Sequence, residues 1–87
     1  MTDLLDYRAQ IDFSRARPEP LYYQIGESIA VALTHRRLPC GLLLPPVRSL
    51  AAGLHIASST ARNTIGFLER RHCVRRVGRR RYLVPPG

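Results

Sequence analysis

Val47-Arg48-Ser49-Leu50-Ala51-Ala52-Gly53-Leu54-His55-Ile56-Ala57-Ser58-Ser59-Thr60-Ala61-Arg62-Asn63-Thr64-Ile65-Gly66-Phe67-Leu68 carries a helical periodicity that is interrupted once. Apolar side chains fall at Val47, Leu50, Ala51 and Leu54, then at Ile56, at Thr60 or Ala61, at Thr64 or Ile65, and at Leu68, the spacing of one helix face. The break lies between Gly53 and Ser59. Gly53 loosens the first helix, and Ser58-Ser59 offers two candidate N-caps for the second. The stretch therefore predicts two short helices joined by a turn, with the second opening near Ser58.

Upstream, Pro18 and Pro20 set up another helix, since a proline tolerates the first turn, where amides lack partners. Leu21, Tyr22, Ile25, Ile29, Ala32 and Leu33 form its apolar stripe, with Gln24, Glu27, Ser28 and His35 on the outer arc. Gly26 costs up to ~1 kcal/mol inside a helix and so marks a close helix contact. The end is expected near Arg36 or Arg37. After the turn Leu38-Pro39-Cys40-Gly41, the run Leu42-Leu43-Leu44 is too short for a helix and predicts a strand or extended link that pairs with a hairpin, stopped by Pro45-Pro46.

Downstream, Val74-Arg75-Arg76-Val77 and Tyr82-Leu83-Val84 read as two strands, with Gly78 and Arg79 to Arg81 as the connecting tip. A basic-tipped hairpin directly after a helix-turn-helix is a wing. The fold class is thus mainly α with a small β hairpin (α+β): three helices plus a two- to three-stranded wing. Residues 18–84 form this domain. Residues 1–17 are an arm or short helix, with Asp3 as a cap and Leu4, Leu5, Tyr7, Ile11 and Phe13 needing apolar cover. Residues 85–87, Pro-Pro-Gly, are a linker-like end that leaves room for a C-terminal effector or enzyme-like domain.

The chain of 87 residues has a formal net charge of +8, enough length for one modest core and too little for a deep substrate cavity between two layers. Every basic residue is Arg, and half of the fourteen lie between Arg70 and Arg81. Codon bias accounts for missing Lys but not for clustering, and a planar guanidinium fork suits phosphate and guanine. A polyanionic partner is expected. The six acids are dispersed, and neither a Gly-rich phosphate loop nor a nucleophile beside a base is present, so no enzyme is expected. His35, His55, His72, Cys40 and Cys73 show no metal-ligand spacing, so neither metal nor cofactor is expected. No early apolar run resembles a secretory signal or a membrane span, and a cytoplasmic protein with reduced thiols is the expectation.

Several motifs, in order, carry a family likeness. Pro20-Leu21-Tyr22-Tyr23-Gln24-Ile25, Leu38-Pro39-Cys40-Gly41, Leu44-Pro45-Pro46-Val47-Arg48-Ser49-Leu50-Ala51, and Leu68-Glu69 with Gly78 resemble the N-terminal winged-helix domain of GntR-type bacterial transcription regulators. The likeness covers about residues 20–84. It implies a DNA-binding domain acting as a homodimer on a short inverted repeat, usually beside a C-terminal effector domain. Arg48 matches the arginine that opens the second helix, Ser59 the small polar position, Thr60 the threonine of the first recognition-helix turn, and Arg62 the arginine pointing into the major groove. Gly78 and Arg80 match the wing tip. The chain departs from the family at Ala57, where a serine cap is usual, at Ser58, where an arginine is usual, and at Pro46. The wing tip reads Gly78-Arg79-Arg80-Arg81-Tyr82 in place of Gly-x-Gly-Thr.

From the residues themselves, Ser58, Ser59, Arg62 and Asn63 lie on the first turn and exposed face of the second helix, where side chains donate to phosphates or read base edges. The expected DNA-contacting set is Arg48, Ser58, Ser59, Thr60, Arg62, Asn63, Gly78, Arg79, Arg80 and Arg81, on double-stranded DNA, in a regulator most simply read as a repressor. Two other readings stay open: a basic module for RNA or DNA without sequence preference, and a winged-helix protein-interaction domain using residues 1–13.

Overall fold

In the computed structural model, residues 3–39, 41–78 and 81–84 are described. A seven-residue 3₁₀ helix, Leu4–Gln10, precedes three α-helices: α1 (Leu21–Thr34), α2 (Val47–Leu54) and α3 (Ser58–Arg70). The strands are β1 (Leu43–Leu44), β2 (Arg75–Gly78) and β3 (Arg81–Leu83), in one antiparallel sheet of order β1-β3-β2. This is the α+β winged helix that the periodicities predict. Of the expected strand or link Leu42-Leu43-Leu44, the last two residues form the third strand of the wing, pairing Leu43 with Leu83 and Leu44 with Tyr82.

One core serves the helices and β1. Ile25, Ile29 and Ala32 of α1, Leu50, Ala51 and Leu54 of α2, and Ala61, Ile65 and Leu68 of α3 are buried together with Leu38, Leu42 and Leu44. A fully buried Leu or Ile contributes about 1.5–3 kcal/mol relative to exposure, so this cluster decides the arrangement of the three helices. Thr64 is fully buried yet satisfied, its hydroxyl donating to the carbonyl of Thr60 at 2.8 Å. Where the sequence left Thr60 or Ala61 and Thr64 or Ile65 as alternatives, Ala61, Thr64 and Ile65 all face inward.

Residues 3–17 lie against this core. Asp3 caps the 3₁₀ helix with a reciprocal capping box: its side chain accepts from Leu5 N, and Asp6 accepts from Asp3 N. Asp3 also bridges Leu43 in parallel sense, Leu4 is fully buried, and Ile11 joins the core. Arg15 donates from Nη2 to the carbonyl of His55 at 2.8 Å, tying this segment to the turn of the helix-turn-helix.

Several local expectations are corrected. Helix α1 ends at Thr34, earlier than Arg36 or Arg37, because Arg36 takes a left-handed conformation at φ 58°. Gln24 belongs to the buried side of α1, not to its outer arc: its Oε1 accepts from Ser14 N at 2.9 Å and its Nε2 donates to Glu19 O at 2.7 Å. Gly53 sits inside α2, which runs to Leu54 and is closed by His55 in the left-handed region. Its missing side chain makes room for Leu5, whose Cδ2 would stand 2.6 Å from a Cβ there. Gly26 is the close contact the sequence predicts, lying under Phe67 of α3.

Candidate nucleic-acid interface

Helix α3 divides cleanly. Its inner face holds Ala61, Thr64, Ile65 and Leu68, so the residues between them turn outward: Ser58, Ser59, Arg62 and Asn63 are exposed and Thr60 is half-buried. The serines are not the N-caps that the sequence offered as candidates. The N-cap is Ala57 with no side-chain hydrogen bond, and Ser58 and Ser59 are the first two helical residues. Their hydroxyls are thereby not committed to capping the helix, and the first amides of α3 are without a side-chain acceptor.

Helix α2 opens in the same way, on Pro46 with no side-chain cap, and Arg48 is exposed as its second residue. Both helix starts border one cleft of about 690 Å³ whose walls include Arg48, Ser58, Arg62 and Ile65 from the helices and Arg76 and Tyr82 from the sheet. Two positive helix ends and three guanidiniums thus surround one volume, and among the described residues no carboxylate lines it. The two ion pairs among the described residues lie elsewhere: Arg17 with Asp12 at 2.8 Å and Arg71 with Glu27 at 3.0 Å. An anion is the chemistry this arrangement accepts.

The structure accordingly brings Arg48, Ser58 and Arg62 together, with Ser59 and Asn63 exposed on the same helix and Thr60 in its first turn. Gly78 is exposed at the end of β2 and pairs with Arg81, so both belong to strands and not to the connecting tip in which the sequence put them. Arg79 and Arg80 lie outside the described residues, as do Cys40 and residues 85–87, and Arg81 enters only as backbone of β3. Sequence reading missed Arg76 and Tyr82. Their opposition across β2 and β3 depends on strand register, which a bulge between Arg76 and Gly78 shifts, and no periodicity in a stretch so rich in arginine reveals it.

Away from the cleft, Arg71 stacks over Phe67 at 4.6 Å while paired to Glu27. Beside them, burial pushes the Cys73 thiol above its ordinary pKa; Arg71 pulls it partly back and Glu27 adds to the rise. Among the described residues no three His, Cys, Asp or Glu side chains come together in a metal-holding group, and no helix is long and apolar enough to cross a membrane.

Two solved structures share this architecture. YtrA from Sulfolobus acidocaldarius, a GntR-family transcription factor, matches with a TM-score of 0.79 and 27% identity over 90% of this chain and 82% of that one. A transcriptional antiterminator from Listeria monocytogenes EGD-e matches with a TM-score of 0.78 over 87% of this chain and 57% of its own; at 18% identity the likeness is one of fold. No protein-family model matches the chain, and no curated protein does.

Proposed function

We propose, from the winged-helix likeness to a GntR-family transcription factor, that the chain is the DNA-reading part of a GntR-type transcription regulator, acting as a repressor on an inverted-repeat operator. One observation carries the reading: Arg48, Ser58 and Arg62 line the same cleft as the wing, with no acid among its described lining residues. Helix α3 enters the major groove, where Arg62 forks onto a guanine edge and Ser59, Thr60 and Asn63 contact neighbouring edges or phosphates. Arg48 and the wing residues Gly78, Arg79, Arg80 and Arg81 fix the backbone on either side. Such a domain binds as a homodimer, because a palindromic site matches a two-fold protein, and a C-terminal effector domain sets when it binds. The reading places the protein in the cytoplasm, on the nucleoid when bound.

Selection of binding sites from a random duplex pool tests this. A palindrome with half-sites spaced by about one helical turn is the expected outcome. Arg62→Ala then narrows the discrimination between the selected and random duplexes by about 1–3 kcal/mol. Equal losses on both duplexes would remove Arg62 from base reading. An RNA duplex that outcompetes the selected DNA would replace the regulator with an RNA-binding module.

A further inference from the structure

The wing supplies an arginine that the helical reading leaves unused. Register sets Arg76 opposite Tyr82, and Tyr82 opposite the buried Leu44, so these three share the sheet face turned toward the helices. Arg75 pairs with Leu83 and lies on the other face. The guanidinium carbon of Arg76 sits 5.7 Å from the Tyr82 ring centroid, within cation–π range, and both residues line the cleft with Arg48 and Arg62. Stacked in this way, a guanidinium keeps its N–H edges free while its rotamer freedom is reduced, so less entropy is lost when it grips an oxyanion. Three cations facing one volume without a counter-charge repel each other until an anion arrives.

Resting on the regulator reading above, we infer that Arg76, positioned by the Tyr82 ring, is a third anchor of the cleft and forks onto a backbone phosphate of the duplex whose groove receives α3. The sheet wall is separate from the helix that reads base edges, so this contact fixes depth and orientation and is indifferent to sequence. Arg75 provides a control of identical charge on the adjacent residue and opposite face.

The test measures log K against log salt for the full chain on the selected duplex and on a random one. Arg76→Ala is expected to lower the steepness by about 0.9 per protomer, about 1.8 for the homodimer, and to weaken both duplexes by the same factor, roughly tenfold per protomer. Arg75→Ala keeps the wild-type steepness. Tyr82→Phe, which retains the ring, binds as the unaltered chain does, whereas Tyr82→Leu loses affinity on both duplexes. Arg76→Lys keeps the steepness and binds more weakly, since the ammonium lacks the fork. Equal changes from Arg75→Ala and Arg76→Ala would reduce the effect to net charge and overturn the inference. So would an unchanged slope in Arg76→Ala beside tight binding by the unaltered chain. Failure of the unaltered chain to bind any duplex overturns the regulator reading itself.

Discussion

The ring of Phe67 fills the space that a side chain at position 26 would need: a Cβ on Gly26 would lie 2.8 Å from its Cε1. The ring is pinned by Tyr22 and Tyr23, edge-on at 6.2 and 5.5 Å, and by the guanidinium of Arg71 over its face. Helix α3 is thereby held close against α1, fixing the inner surface from which the outward residues project.

Gly26→Ala sets two effects against each other. The helix gains up to ~1 kcal/mol in propensity, while forcing an immobile ring aside costs about 1–3 kcal/mol. The clash wins, and a net loss on the order of 1–2 kcal/mol is expected in a urea unfolding curve with unchanged m. A midpoint that rises would show that Phe67 moves freely.

Gly53→Ala presents the same chemistry with the opposite balance. The atoms it meets are the ends of the Leu5 side chain, which is only half-buried and can rotate. The propensity gain then offsets the strain, and stability within about 0.5 kcal/mol of the unaltered chain is expected in the same assay. A loss above about 2 kcal/mol would mean that Leu5 is locked.

Gln24→Ala removes the acceptor of Ser14 N and the donor to Glu19 O together. The partly buried Ser14 amide is left without a partner, at about 1–3 kcal/mol, whereas the exposed Glu19 carbonyl turns to water. Hydrogen exchange at Ser14 is expected to accelerate well beyond that at Ile29 in mid-α1. Uniform acceleration at both would indicate global loosening instead.

Cys73 titrates above an ordinary thiol, so the folded chain holds it protonated at neutral pH. An acid whose folded pKa is raised contributes stability that is present below the unfolded pKa and lost as pH rises through the folded one. In a Cys40→Ser background, alkylation by iodoacetamide near pH 8 is expected to be slower folded than in urea. Glu27→Gln removes a carboxylate that raises the thiol and speeds the reaction. Arg71→Ala removes the cation that lowers it and slows the reaction. The reverse order in these two variants would show that access, not charge, governs the thiol.

The sequence made the helices legible because their apolar spacing and their buried faces report the same physics. The outward set on α3 followed from it, since fixing Ala61, Ile65 and Leu68 inside leaves Ser58, Ser59, Arg62 and Asn63 outside. What it hid were features settled between distant segments. Gln24 is polar by composition and buried only because loops at Ser14 and Glu19 bring backbone partners to it. Gly53 reads only as a residue that loosens its helix until Leu5, far away in the chain, occupies its face. The place of Arg76 depends on register across a bulged hairpin, which composition does not encode.

The middle strand of the sheet is also the last to leave the ribosome. Leu43 waits for Leu83, forty positions later, and β2 has no ladder until β3 arrives between the two. The helical body can close once α3 is made, through contacts such as Phe67 on Gly26, whereas closure of the wing waits for β3 and must also overcome the entropy of a long loop. A nascent or truncated chain ending before Arg81 would leave the β3-facing edges of β1 and β2 unpaired beside an assembled trihelical unit, and completion of the sheet is therefore gated by the arrival of β3.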